Sequence, residues 1–167
     1  MSRFWEVDLI WSGVMLPKQR VLLLLANQQK LLTKERLLKL HIPIANDTWC
    51  CLCDIGVLET HQHLFADCSW VSSLKGALTS WSGIPFETLQ WIRRRHWRQF
   101  RKEVAVAIIG AMVYHTWQGR NWKIFREVSF NTDFCIGQIQ KELKQRINMR
   151  AESRRARKCQ VLVSRFL

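Results

Sequence analysis

The chain has 167 residues, enough for one sizeable core or for one core plus a small metal-stapled subdomain, so one or two folding units are expected. Its net charge of +13 is concentrated: residues 1–92 hold eight Lys/Arg against eight Asp/Glu, whereas residues 93–167 hold eighteen against five. No apolar run reaches the roughly 18 residues of a membrane span, and the first residues mix Arg3, Glu6 and Asp8 with Trp5 and Trp11, unlike a secretory signal, which argues against a membrane role and for a reducing, intracellular compartment.

After the aromatic start, Leu16-Pro17 opens a helix. Proline suits a first helical position, and Val21, Leu22, Leu24 and Leu25 supply a broad apolar face. Thr33 is the expected N-cap of a second helix, with Leu37, Leu38 and Leu40 as its buried stripe and Ile42-Pro43 as its stop. The resulting helical hairpin delivers the chain through the polar turn Ala45-Asn46-Asp47 to a cluster of cysteines.

Cys50, Cys53, His63 and Cys68 form the pattern C-x2-C-x9-H-x4-C. Two cysteines separated by two residues sit on one tight turn, where both sulfurs can reach a metal at about 2.3 Å, and a histidine with a third cysteine completes a tetrahedron. A closed shell of four protein ligands leaves no position for water, so one structural Zn2+ is expected, with its binding energy serving as folding energy for the loop. In a reducing compartment clustered thiols favour metal over disulfide. Cys51 and His61 lie close enough to substitute as ligands, or the thiols could simply be small buried hydrophobes; the C-x2-C and H-x4-C intervals, with Leu64-Phe65 turning inward between the second pair, favour Cys50 and His63. Cys135 and Cys159 read as unpaired thiols.

Beyond the cysteines, Trp70, Leu74, Leu78 and Trp81 step at near-helical intervals until Ser82-Gly83-Ile84-Pro85 breaks the pattern. Leu89 to Lys102 reads as one amphipathic helix in which Trp97, Phe100 and Val104 face the core and Arg94, Arg98, Arg101 and Lys102 line another side. Glu103 to Phe125 continues as a long helix, bent or interrupted near Gly119; within it the ten residues Val104 to Val113 read as a core segment. Asn131 or Thr132 caps the last helix, whose stripe is Cys135 or Ile136, Ile139, Leu143 and Ile147, with Glu142 and Arg146 placed for an i,i+4 pair. Residues 150–158 (RAESRRARK) then form a basic tail, read as solvated, as an import signal or as a phosphate clamp.

In this order the residues resemble the zinc-binding domain that follows the reverse transcriptase in plant-type non-LTR retrotransposons. The resemblance is carried by Leu16-Pro17-Lys18, Leu32-Thr33 with Leu37-Leu38, Cys50 and Cys53, Glu59-Thr60, His63-Leu64-Phe65 and Cys68, with Trp81 as the counterpart of a trailing tryptophan. It covers residues 5–82, and Trp117, Arg120-Asn121 and Ile124-Phe125 resemble the connector that follows such domains. Leu23 to Leu25, where the family often has aromatics, and the inserted Cys51 depart from the pattern. The resemblance implies an excised C-terminal piece of an element's polyprotein.

The expected fold is therefore mainly α: a helical hairpin plus a small CCHC zinc-binding loop in residues 1–85, a basic helical connector in 86–150 and a basic tail in 151–167. Paired metal-binding aspartates, clustered carboxylates, phosphate loops and nucleophile elbows are all missing from the sequence, which argues against polymerase, nuclease and hydrolase activity. The expected function is non-catalytic binding of RNA or DNA through Arg93, Arg94, Arg95, Arg98, Arg101, Lys102, Arg154, Arg155, Arg157 and Lys158, in the nucleus rather than the cytoplasm. A protein-interaction or scaffolding module using the nine tryptophans, and an inert retroelement remnant, are the alternatives.

Overall fold

In the computed structural model the apolar run Val104 to Val113 is the centre of the molecule. The structure describes residues 8–45 and 47–167; the expectations placed on Arg3, Trp5, Glu6 and Asn46 lie outside these. The fold is mainly α. Helices α1 (Pro17–Asn27) and α2 (Lys34–Lys39) form the N-terminal hairpin, and a five-residue π-helical turn (His63–Asp67) leads into α3 (Ser69–Ser82). Then follow α4 (Leu89–Arg93), the long α5 (Gln99–Arg126), α6 (Thr132–Arg150) and two short helices, α7 (Arg154–Arg157) and α8 (Gln160–Ser164). Among the described residues no helix is long and apolar enough to cross a membrane.

Helix α5 packs against α1, α3, α4, α6, α7 and the π-turn. A helix apolar on every side can only be stable when surrounded, and every residue from Val104 to Met112 is buried. Gly110 permits one of the closest approaches, since a methyl there would meet the Met15 sulfur at 2.6 Å. The caps follow the sequence. Pro17 occupies the first turn of α1, Thr33 Oγ1 accepts from the Arg36 N–H, and Asn131 Oδ1 accepts from the Phe134 N–H at 2.8 Å. The stripe Cys135, Ile139, Leu143 and Ile147 is buried, and Gly83, at φ +65°, ends α3 in the left-handed conformation that glycine adopts without strain.

Six expectations are corrected. The helix expected over Leu89 to Lys102 is two, broken at residues 94–98, with Thr88 and Arg98 at their N-caps; the break lets Ile92 and Phe100 enter the same core. α5 is unbroken at Gly119, which instead receives the Trp70 ring at ordinary van der Waals distance. Leu38 and Leu40 are exposed and Leu37 half-buried, while in α1 the innermost side chains are Gln19, Leu23 and Ala26 and Val21 is exposed. Arg146 bonds to the carbonyls of Gly13 and Val14, so Glu142 pairs with His115 and Lys18 instead. The basic tail is folded: Ser153 caps α7, and Ala156, Val163 and Phe166 are buried, Phe166 meeting Trp81 edge-on at 5.0 Å.

Candidate metal centre

The first pair of ligands sits on a knuckle closed by the antiparallel bridge Trp49 to Leu58. Cys50 N–H donates to the Val57 carbonyl at 2.7 Å and Glu59 N–H to the Thr48 carbonyl at 3.0 Å, while Asp54 (φ +52°) and Gly56 (φ +70°) reverse the chain between them. The backbone N–H groups of Leu52 and Cys53 act on the Cys50 sulfur and favour its thiolate form.

The second pair is placed by the π-turn. In an α-helix residues five apart lie about 140° around the axis, on different sides. Here Cys68 N–H donates to the His63 carbonyl at 2.8 Å, an i→i+5 bond whose wider turn brings both side chains round to the metal. Thr60 Oγ1 accepts from the His63 N–H at 2.9 Å and so caps this turn. Cys68 is the N-cap residue of α3, where the Trp70 and Val71 N–H groups act on its sulfur. Leu64 is fully buried beneath the ligands, and Phe65 is half-buried against Trp117.

The donor atoms of Cys50, Cys53, His63 and Cys68 all lie within 4.8 Å of one another. Cys50 Sγ is 4.0 Å from Cys68 Sγ, and Cys53 Sγ is 3.3 Å from His63 Nε2. The edges of a tetrahedron built on zinc bond lengths are roughly 3.8 Å for S···S and 3.6 Å for S···N. The donor set fits. The hydrogen bond to Cys68, followed by burial, pushes the Cys50 thiol up, while the same bond pulls Cys68 down. Two buried sulfurs this close resist ionising together, and a divalent cation between them removes that penalty.

The alternative ligands point elsewhere. Cys51 Sγ faces the Arg120 carbonyl at 3.9 Å, and burial pushes its thiol up to about 11. The His61 ring lies against Phe65, centroids 4.9 Å apart, and burial lowers its pKa. Neither belongs to the converging group. Cys135 is buried on α6, its thiol pushed up to about 11, and Cys159 is half-buried near the C-terminus.

A buried ion pair that the sequence reading did not anticipate fastens the knuckle to α5. Arg120 and Glu59, with side chains 4% and 0% exposed, meet through Nε at 3.1 and 3.2 Å and through a terminal nitrogen at 2.8 Å. Glu59 also accepts the Lys34 backbone N–H at 2.9 Å, and Lys34 Nζ reaches Asp47 and the Trp49 carbonyl. Glu59 lies beside the cysteines and Arg120 in the connector, 61 residues away, and nothing in their spacing shows that they meet.

These features define a structural zinc knuckle seated on a helical core. Residues 2–74 match the family described as zinc-binding in reverse transcriptase, and all four donors fall within the match. Over that segment the chain is similar to the reverse-transcriptase zinc-binding family, and its four donors are suited to one structural zinc ion. No curated protein and no solved structure matches the chain.

Of the ten basic residues singled out, Arg101 and Lys102 are half-buried and the other eight are exposed. Arg155 pairs with Glu103 and Arg157 with Glu152. Arg95 lies over the Trp91 ring at 3.9 Å and Arg101 over Trp97 at 4.5 Å, the two indoles meeting edge-on at 5.6 Å.

Proposed function

We propose that this protein is a non-catalytic, retrotransposon-derived module that binds nucleic acid through its basic C-terminal half, the zinc ion holding the shape of the N-terminal part. The observation that carries this reading is the charge distribution: residues 93–167 account for the whole +13, and eight of the ten cations named above are exposed. Such a surface suits phosphate backbones and says nothing of base sequence. The exposed cluster Arg154, Arg155, Arg157 and Lys158 also suits a nuclear import signal, and nuclear accumulation lost on its neutralisation is the corresponding test.

The main test is salt. If phosphates are neutralised, log affinity falls linearly with log salt concentration, by about 0.9 per phosphate on duplex and about 0.7 on single strands. A salt-independent interaction, or none at low salt, overturns the reading.

A second reading, a protein-interaction module, is favoured by the exposed apolar side chains of the zinc-binding part, among them Leu38, Leu40, Ile42, Trp49, Ile55 and Val57. Replacing Arg93, Arg94, Arg95, Arg98 and Arg101 by Gln separates the two. Nucleic-acid binding is lost under the first reading; partner binding through the apolar face survives under the second.

A further inference from the structure

The two basic clusters, far apart in sequence, meet in space. A groove of about 620 Å³ runs between the 94–98 break and the C-terminal helices, lined by Trp97, Arg98 and Arg101 on one side and Arg157, Lys158 and Arg165 on the other. Three features of the fold build it. The break between α4 and α5 turns Trp97 and Arg98 out of helical register. The burial of Val163 and Phe166 anchors the last helices beside them. Gly83, lacking a Cβ, lets the Arg165 guanidinium lie against the backbone, where a methyl would collide with its terminal nitrogen, and Arg165 Nε donates to the Trp81 carbonyl at 3.4 Å.

No carboxylate lines this groove. Among the described residues no ion pair engages Arg98, Arg101, Lys158 or Arg165, and the one partner of Arg157, Glu152, is 89% exposed, so that pair exchanges readily with a ligand. Arg101 Nε is shielded from solvent and finds no hydrogen-bond partner. Holding like charges together in this way costs free energy unless an anion joins them.

We propose that this groove is a single-stranded nucleic-acid site, in which cations from both clusters hold consecutive phosphates while a base stacks on the Arg101 guanidinium plane supported by Trp97. The proposal rests on the nucleic-acid reading above and narrows it. An indole beneath a guanidinium fixes that plane, leaving its outer face for a base and its edge for a phosphate oxygen. Exposed His96, also on the groove wall, offers a further ring. The volume lies within the roughly 300–1,000 Å³ of small-molecule clefts, which suits a short run of unpaired nucleotides. A duplex keeps its base faces stacked inside, so it offers phosphates and base edges but no face to stack on a guanidinium.

The test is fluorescence anisotropy of labelled oligo-rU and oligo-dT over a range of salt, with an unlabelled duplex of equal length as competitor. Three variants are compared with the parent: Arg98→Gln with Arg101→Gln, Arg157→Gln with Lys158→Gln and Arg165→Gln, and the control Lys141→Gln with Lys144→Gln on the exposed face of α6. For a groove site the first two each weaken binding about tenfold or more at 0.15 M salt and reduce the salt slope by about 0.7 per cation, while the control weakens it far less. Tighter binding of one oligonucleotide shows a preference set by the sugar and the C5-methyl together and supports the site, as equal binding does. Equal weakening by all three variants, or a duplex that competes as well as a single strand, overturns the groove site yet leaves the nucleic-acid reading standing. A parent protein that binds neither oligonucleotide nor duplex at low salt removes both.

Discussion

Between Trp49 and Cys68 the buried side chains are Cys50, Glu59, His63, Leu64 and Cys68, whereas from Val104 to Met112 every residue is buried and none is polar. The knuckle has almost no apolar interior of its own. It depends on a metal ion within and on the Glu59–Arg120 pair beneath, while the helical core depends on area removed from water. A region held by a few specific atoms should fail abruptly when one is lost; a region held by many contacts should weaken by degrees.

The largest expected effect breaks this contrast at the metal. Cys68→Ser, or chelation of the parent, removes a contribution of about 10–16 kcal/mol by analogy with zinc-finger peptides. Hydrogen exchange should then show lost protection over residues 48–68 with protection of α5 retained; equal loss in both regions would mean that the core too depends on zinc. Next comes the ion pair. Arg120→Met strands a buried carboxylate and should cost about 3–5 kcal/mol in denaturant unfolding, while the joint change with Glu59→Leu should recover part of that loss. Ile108→Ala, in the core, should cost about 2–5 kcal/mol and leave zinc content unchanged.

A smaller effect sharpens the electrostatics. Burial pushes the Glu142 carboxyl up, but the hydrogen bond from His115 and the charges of His115 and Lys18 outweigh it, so its pKa lies below the ordinary value. A carboxyl lowered in the folded state contributes stability above its unfolded pKa and loses it as pH falls through the folded one. Glu142→Gln should therefore flatten the acid side of the stability profile, below about pH 4.5. The smallest effects belong to Cys51→Ser and His61→Gln, which should each retain one zinc per chain, because neither side chain joins the converging donors.

How much of this was readable in advance follows the same division. Zinc geometry imposes fixed intervals along the chain, so Cys50, Cys53, His63 and Cys68 could be named from spacing, and H-x4-C even encodes the π-turn once an α-helix is seen to separate those residues. Caps are local too, and Pro17, Thr33 and Asn131 behave as their side chains dictate. What escaped is tertiary. The break at residues 94–98, the docking of Phe166 on Trp81, the Glu59–Arg120 pair and the groove uniting Arg98 with Lys158 all depend on segments distant in sequence, and no periodicity or spacing reports them.

The most direct measurement is zinc content per chain, by elemental analysis of the purified protein beside its Cys53→Ser variant. One zinc in the parent and none in the variant is the predicted result. Equal zinc in both, or none in either, would contradict a metal centre at these four residues.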